Sequence, residues 1–291
     1  MGTWTNPGVS KSNRFIWFEY WIIGKQTLSQ LRSSSGYSIS TLKRYFSEYL
    51  SITPTLKVKP SERVNLLIDG TYFTNKICLV LYRDNNVKFT QLYRLTDGEW
   101  EEEIREDLEN LISLGVQIES ITCDGDKSLL KAVKNACPKV IIQRCLVHIQ
   151  RQTKIWLTRS PKSAVGIELK AIINQIHTIN DKTEWGYWIV DLFQWYEKYK
   201  DYLNEKTINQ DTGRYWYTHK MIRRSFFTIK RALPNMFHYL ENPKIPKTTN
   251  GLESFFGHLK LNIGIHKGLS KEHYKNYIKW YLFFKNENRF S

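Results

Sequence analysis

The chain has 291 residues, of which 41% are hydrophobic and 14% aromatic, and its formal net charge is +15 at pH 7. This length allows one large domain or two to three small ones, and the aromatic content excludes a disordered chain. The positive charge favours a polyanionic partner, because phosphates attract Lys and Arg and release counterions on binding. The charge does not separate an enzyme from a protein that only binds.

The four cysteines are scattered and form no Cys-x-x-Cys pair. This pattern is typical of a reducing compartment and not of a disulfide framework. The N-terminus lacks the apolar core of a signal peptide. The apolar run of residues 15–24 contains Glu19 and is too short to span a bilayer. We therefore expect a soluble, cytoplasmic protein with no membrane contact.

Three helices are predicted at the N-terminus, the first at residues 15–24. The next two flank the turn cluster SSSGYS and carry apolar residues at helical spacing. Helix, short Gly-containing turn and helix is the layout of a helix-turn-helix, in which Lys43 and Arg44 would be exposed for DNA binding. A plain pair of packed helices remains the alternative. The segment ITPTLKVKPSER has two prolines and is predicted to be a linker, so residues 1–58 form the first segment.

The pattern then changes to strands. VNLLIDG, NKICLVLYRD and NVKFTQLYRL are three candidate strands, and the last two are joined by a hairpin turn. A helix that stops at Gly115 follows, and then strand IESITCD, a helix at residues 126–136, strand KVIIQR and a further helix. The order β-β-β-α-β-α-β-α predicts a mixed five-stranded sheet with helices on its faces. It is also the order of the ribonuclease H fold, whose first part would be residues 59–158.

Residues 159–246 are predicted to be helical and are rich in Trp and Tyr. The stretch from 214 to 231 has six Lys and Arg residues, no acidic residue, and interleaved aromatics. This combination suits a phosphate backbone with stacking surfaces beside it, and its DNA-binding candidates are Arg223, Arg224, Lys230 and Arg231. A helix with an aromatic core face and a solvated basic face is an equally weighted alternative.

Two aspartates are candidate metal ligands. Asp69 ends the first predicted strand and Asp124 ends the fourth, and these strands are neighbours in a ribonuclease H order. Two adjacent carboxylates repel each other unless a cation lies between them, and Mg²⁺ prefers oxygen ligands of this kind. Asp126 is predicted to be the N-cap of the next helix. The reverse assignment of Asp124 and Asp126 stays open, because strand ends are uncertain by about two to four residues.

A third carboxylate, Glu253, lies in the segment TTNGLESFFGHLK. Lys260 is seven residues further on, two helical turns along the same face, where it would face phosphate. Three carboxylates can hold two Mg²⁺ ions about 3.5–4 Å apart, and Mn²⁺ can substitute. The alternative is a capping box, since Asn250-x-x-Glu253 fits that motif and the glutamate would then fold back onto the helix start.

The segments LLIDGTYF, TCDGDKSLLKAV, QRCLVHIQRQ, LENPKIPKTTNGLESFFGHLK and HKGLS resemble DDE transposases of the Mutator-like superfamily, of the kind found in bacterial insertion sequences. The resemblance runs from about residue 15 to the end. It implies that Asp69, Asp124 and Glu253 are the catalytic triad. It also implies an all-α insertion domain at residues 159–246, after which residues 247–291 complete the ribonuclease H-like core.

Cys145 and His148 match the Cys-x-x-His motif of that family. One Cys and one His are too few for a closed zinc site, which needs four ligands. Cys145 is therefore predicted to pack at the helix start, and His148 to approach the active site or a scissile phosphate. Arg151, on the same predicted helix, is a further DNA-binding candidate.

The predicted function is transposition. Terminal inverted repeats would be bound by the N-terminal helices and by the insertion domain, metal-activated water would cleave a strand, and the freed 3′-hydroxyl would attack target DNA. We expect a homodimer or larger assembly on DNA, associated with the bacterial nucleoid. A ribonuclease H-like nuclease or resolvase that never joins strands, and an inactive DNA-binding remnant, are the alternatives. Relatives often carry a cysteine-rich segment before the helix-turn-helix, so a truncated copy also remains possible.

Overall fold

The computed structural model describes residues 13–59 and 63–287, so residues 1–12, residues 60–62 of the predicted linker and residues 288–291 lie outside the described residues. The helices of the described chain are α1 (Asn13–Ile23), α2 (Leu28–Ser35), α3 (Ile39–Leu50), α4 (Glu101–Ser113), α5 (Lys127–Ala136), α6 (Leu146–Leu157), α7 (Ala164–Gln175), α8 (Lys182–Asn204), α9 (Lys220–Ala232), α10 (Asn250–Gly264) and α11 (Lys271–Glu287). The strands are β1 (Val64–Phe73), β2 (Ile77–Asp84), β3 (Phe89–Thr96), β4 (Ile118–Cys123), β5 (Ile141–Arg144), β6 (Lys206–Ile208) and β7 (Tyr215–Tyr217).

Five strands form one mixed sheet in the order β3-β2-β1-β4-β5, which confirms the predicted mixed α/β architecture. The pairs β1–β2 and β2–β3 are antiparallel, whereas β1–β4 and β4–β5 are parallel. The prediction that Asp69 ends the first strand is wrong. β1 continues to Phe73 because it stays paired with β2 beyond Asp69, although its pairing with β4 stops at Leu67.

The region expected to be entirely helical also contains the two-stranded sheet β6–β7. Each strand has only three residues, which is too short for strand alternation to be read from the sequence. The turn between them is built by Asn209, whose Oδ1 accepts hydrogen bonds from the N–H groups of Asp211 and Thr212 at 2.9 Å each. Helices α7, α8 and α9 account for most of the rest of this region, as expected.

The N-terminal helices form as their local sequence predicts. Thr27 and Gln30 make a reciprocal capping box at the start of α2, which ends at Gly36 in a left-handed conformation (φ +75°). The Ser38 side chain then caps α3 by accepting a hydrogen bond from the N–H of Thr41. Lys43 and Arg44 lie exposed on α3, as expected for that helix.

These three helices share a hydrophobic core with α10, α11 and one face of the sheet. At its centre the Phe18 ring lies 5.4 Å from Trp280 in an edge-on contact and 5.7 Å from Phe46. Phe18 and Trp280 are completely buried. The N-terminal helices are therefore held by burial against the C-terminal helices.

We expect Phe18→Ala to lower the free energy of unfolding by about 3–5 kcal/mol, because it leaves a cavity in this core. Tyr20→Ala on the same helix is the control, since Tyr20 is 44% exposed and should cost far less. Urea unfolding followed by far-ultraviolet circular dichroism measures both variants. Equal midpoints for Phe18→Ala and Tyr20→Ala would contradict the packing.

Two further clusters complete the interior. One lies between the other face of the sheet and helices α4 and α5. The other joins α6 to α7, α8 and α9. Helix α6 follows β5 directly and packs against α7, α8 and α9. It therefore attaches these three helices to the end of the sheet. Among the described residues, no helix combines the length and apolar character needed to cross a bilayer.

Candidate active site

Asp69 and Asp124 lie level with each other on neighbouring parallel strands. In the register of β1 and β4, Leu67 pairs with Thr122, and each aspartate is two residues beyond its member of that pair. Side chains two residues apart point to the same face of a sheet. The register therefore places both carboxylates together, even though Asp69 is in the middle of its strand.

Asp126 has the role predicted for it. Its Oδ1 accepts a hydrogen bond from the N–H of Ser128 at 2.8 Å and caps α5. Asp124 directly follows the last residue of β4, and its Oδ1 accepts from the N–H of Asp126 at 2.8 Å. One oxygen of Asp124 thus holds the turn, and its carboxylate stays beside the strand end.

The backbone of Asp124 is held by Arg144, the last residue of β5, which the sequence analysis did not single out. Its Nε and Nη2 donate to the carbonyl oxygen of Asp124 at 3.3 and 3.1 Å. The guanidinium occupies the space that a Cβ at residue 125 would need, and Gly125 has a φ of +84°. Both constraints require glycine at this position.

Glu99 is a fourth carboxylate that the sequence analysis missed. It lies between β3 and α4, and its carboxylate occupies the space that a Cβ on Gly70 would take. Its loop is held by the Trp100 Nε1–H, which donates to Asp97 Oδ1 at 2.8 Å. Burial raises the pKa of Glu99 to about 7, and the charges of Asp124 and Asp69 add to this effect.

Glu253 faces the site from the first turn of α10. The capping box considered for it is not formed, because the N-cap of α10 is Thr249 and its side chain makes no capping hydrogen bond. The Glu253 carboxylate instead accepts from Arg151 through two parallel contacts, Oε1 to Nη1 at 2.9 Å and Oε2 to Nη2 at 3.2 Å. His148 Nε2 lies 3.6 Å from Glu253 Oε1.

Cys145 joins these elements. It is fully buried, its N–H donates to the carbonyl of Cys123 at 2.7 Å, and its Sγ accepts from the N–H of Thr249 at 3.3 Å. The hydrogen bond between Cys145 and His148 raises the pKa of His148 to about 9, to which the charges of Asp69 and Asp124 also contribute. His148 is therefore an imidazolium at neutral pH. The cysteine packs at the start of α6, as predicted.

The site holds more negative charge than its surroundings neutralise. The pKa of Asp69 is raised to about 6: burial is the main cause, His148 opposes it, and the charges of Asp124 and Glu253 add to it. A bound cation would relieve this repulsion. The oxygen donors are those that Mg²⁺ prefers, so the donor chemistry fits this ion.

A metal site also requires its ligands to be arranged around one point. Across residues 13–59 and 63–287, no group of three or more His, Cys, Asp or Glu side chains is arranged to hold a metal ion. Glu253 is paired instead with Arg151, whose Nη1 lies 2.9 Å from Glu253 Oε1.

Most of the predicted DNA-binding cations lie on the surface. Arg224, Lys230 and Arg231 are exposed on α9, and the guanidinium of Arg224 covers the Trp156 ring at 4.3 Å. Lys260 is exposed on α10, with its Nζ 5.5 Å from the Phe73 ring.

Arg223 differs from this group. It donates to Asn204 Oδ1 at 2.6 Å and lies over the Tyr217 ring at 3.9 Å, so it is engaged within the fold. The opposite face of α9 buries Phe226 and Ile229. The helix thus has the aromatic core face and the exposed basic face that the sequence left as an alternative.

Residues 92–230 match the model of the family described as Transposase, Mutator family. The matched segment runs from β3 to α9 and contains Asp124, Cys145 and His148, whereas Asp69 and Glu253 lie outside it. A search of curated proteins gives no match. The match covers slightly less than half of the chain and supports the Mutator-like transposase family predicted from the motifs.

Proposed function

We propose that this chain is a DDE-type DNA transposase with a ribonuclease H-like core, and that Asp69, Asp124 and Glu253 are its catalytic carboxylates. The observation that carries the proposal is the closeness of the three carboxylates, since the charges of Asp124 and Glu253 both raise the pKa of Asp69. The β1–β4 register sets the two aspartates level, and the Cys145–Thr249 contact fixes the start of the helix that bears Glu253. The strand order β3-β2-β1-β4-β5 supports the assignment of the core.

Asp69 and Asp124 would hold Mg²⁺ or Mn²⁺, and Glu253 would complete a two-ion site after it leaves Arg151. Such ions activate the attacking oxygen and stabilise the leaving oxygen in phosphoryl transfer. The protein's own residues orient the DNA. His148, charged at neutral pH, is placed to donate a hydrogen bond to a phosphate oxygen, and Lys260 lies on the same helix as Glu253.

The proposed partners are terminal inverted repeats and target DNA, bound by an assembly of two or more copies. The match to a transposase family supports DNA binding. The exposed cations of α3 and α9 offer two separate surfaces for phosphates. The helix pair α2–α3 supports a helix-turn-helix reading of the first surface.

The test is a strand-transfer assay with a labelled DNA end, a target plasmid and Mg²⁺ or Mn²⁺. A transposase releases a 3′-hydroxyl end and joins it to the target. Cleavage without joining would identify a nuclease or resolvase. A gel shift without cleavage in either metal would identify an inactive DNA-binding remnant.

The role of α3 is tested by surface substitution. Deleting residues 1–58 would remove Phe18 and Phe46 from the shared core and would unfold the protein. The double variant Lys43→Ala and Arg44→Ala should instead weaken binding to the element's end and lower the slope of log K against log salt by about 2. Fluorescence anisotropy at several salt concentrations measures this.

The control for α3 removes two exposed lysines elsewhere, Lys134→Ala with Lys139→Ala. Its salt slope should stay at the wild-type value. Unchanged preference for the element's end in the α3 variant would contradict DNA reading by this helix.

Arg151→Gln should raise the affinity for Mn²⁺ about tenfold in the DNA-free protein. The reason is electrostatic: the substitution removes a positive charge that pairs with Glu253 at 2.9 Å. Lys154→Gln on the same helix is the matched control. Electron paramagnetic resonance titration of free Mn²⁺ measures both variants. Equal affinities in Arg151→Gln and Lys154→Gln would rule out competition between Arg151 and the cation for Glu253.

A further inference from the structure

The β6–β7 hairpin exposes large apolar side chains that do not pack into the hydrophobic core. Ile208, Tyr215 and Trp216 are 63%, 57% and 49% exposed. None of the three is a member of the hydrophobic clusters formed by the described residues. Exposed apolar side chains concentrated on one small element are typical of surfaces that contact another molecule.

The hairpin is rigid at its tip. The N–H of Asn209 donates to the carbonyl of Arg214 at 2.8 Å, and the N–H of Gly213 donates to the carbonyl of Asn209 at 2.9 Å. Gly213 has a φ of +66°, a conformation that glycine adopts without strain. The tip therefore presents the neighbouring aromatic side chains in a preorganised way, which lowers the entropic cost of binding.

The hairpin is equally well fixed at its base. Arg223 of α9 lies over the Tyr217 ring at 3.9 Å and donates to Asn204 at the end of α8. Thr207 and Thr218 share a hydrogen bond of 2.8 Å across the two strands. These contacts make the hairpin a fixed extension of the helical region.

The register divides the aromatic side chains between two faces. Ile208 pairs with Tyr215 and Lys206 pairs with Tyr217, while Thr207 pairs with Trp216. Directly paired side chains lie on the same face, and successive residues alternate. Trp216 therefore projects from the face opposite to Tyr215, whose ring is covered by Lys206 Nζ at 4.2 Å.

The charge around the hairpin selects the partner. Between residues 205 and 224 there are five Lys and Arg residues and two carboxylates. One of these carboxylates, Glu205, contacts His219 at 2.9 Å. Aromatic rings beside an excess of positive charge suit a nucleic acid with unpaired bases, because each base offers a π-face and each phosphate a negative charge. A closed duplex hides the faces of its bases, so it offers no stacking surface.

We propose that the β6–β7 hairpin binds unpaired DNA bases, with Trp216 stacking on one base and the surrounding cations contacting the adjacent phosphates. The choice of DNA rests on the proposed transposase function, whereas the stacking surface rests on the hairpin itself. The occupant is a frayed or single-stranded segment of the DNA substrate.

The experiment compares three 2-aminopurine-labelled DNA probes: a blunt duplex, the same duplex with three unpaired bases at its end, and a single strand. Wild-type protein should bind the probes with unpaired bases and quench 2-aminopurine there. Trp216→Ala should weaken binding to those two probes by about 5- to 100-fold, since stacking contributes roughly 1–3 kcal/mol per base. Its affinity for the blunt duplex should stay within about twofold of wild type.

Three variants make the test specific. Trp216→Phe keeps an aromatic ring and should retain most of the affinity. Tyr215→Ala tests the other face of the same hairpin and should also weaken binding to unpaired bases. Tyr187→Ala is the matched control, because Tyr187 is 71% exposed on α8 outside the hairpin and should bind like wild type.

Several outcomes would overturn the proposal. Equal weakening on all three probes would make Trp216 part of a general DNA surface, and no weakening would remove the hairpin from DNA binding. Tighter binding of a single-stranded RNA of the same sequence would contradict the assignment to DNA. Dissociation of a wild-type dimer by Trp216→Ala in sedimentation velocity would assign the surface to a second copy of the chain. Asp69→Asn should bind unpaired bases normally, so lost cleavage with retained binding separates this proposal from the catalytic one.

Discussion

Asp69→Asn and Asp124→Asn are each expected to reduce metal-dependent DNA cleavage by at least about a thousandfold, because residues that act as a unit in a site lose nearly all activity when one is removed. Each substitution removes a negative charge that would hold the cation and changes little volume. Asp126→Asn is the matched control and should retain most activity, since Asn caps a helix about as well as Asp. An inactive Asp126→Asn together with an active Asp124→Asn would reverse the assignment of the two residues.

The same substitution at Asp69 should stabilise the protein in the absence of metal and DNA. The pKa of Asp69 is raised from 3.8 to about 6 by burial and by neighbouring carboxylates, so charging it costs folding free energy. The cost is absent below the unfolded pKa, grows as the pH rises from 3.8 towards 6, and is complete above that. Asp69→Asn should therefore be more stable by about 3 kcal/mol at neutral pH and equal to wild type below pH 3.8.

Thermal melting in a metal chelator across this pH range measures the difference. A constant difference at all pH values would show that the carboxylate charge is not its cause. Lower stability of Asp69→Asn at neutral pH would contradict the repulsion in the site.

Glu253→Gln is expected to lose cleavage and strand transfer to the same extent and to unfold at nearly the wild-type temperature. Stability should change little, because the Arg151–Glu253 pair is 54% and 33% exposed at its two side chains and such pairs contribute about 0–1 kcal/mol. Activity should be lost because the amide carries no charge to hold a divalent cation. Cleavage and joining assays beside differential scanning calorimetry give the two readouts.

Glu241→Gln is the control for this change. Glu241 is also an exposed glutamate in an ion pair, with Lys182 at 3.7 Å, and it lies outside the site. It should melt and cleave like wild type. A stable Glu253→Gln variant that still transfers strands would remove Glu253 from the catalytic group.

Several parts of this protein could be read from the sequence because they depend on neighbouring residues. The Asp126 N-cap acts on a residue two positions further on. The predicted turn cluster SSSGYS contains Gly36, which ends α2. The succession of the five main strands and their helices along the chain followed from apolar runs bounded by turns, and the structure confirms it. The family also followed from short motifs, and the family match supports it.

The tertiary structure alone decided what surrounds the carboxylates. Arg151 and Glu253 are 102 positions apart, so no local pattern indicates that they pair. In the sequence Glu99 is one of several acidic residues close together. Only the folded structure, in which its carboxylate lies against Gly70, distinguishes it from the others. Such contacts depend on how elements pack, which local propensity does not specify.

The length of β1 and the existence of the β6–β7 hairpin also depend on contacts between separate segments of the chain. β1 continues past Asp69 because β2 remains its partner, and a strand's end is set by its neighbour more than by its own residues. The hairpin strands have three residues each and are held by Arg223 from α9. The sequence by itself thus determined the order of helices and strands along the chain and the catalytic candidates. Packing between distant segments decided which charges meet, because those contacts form only when the chain is folded.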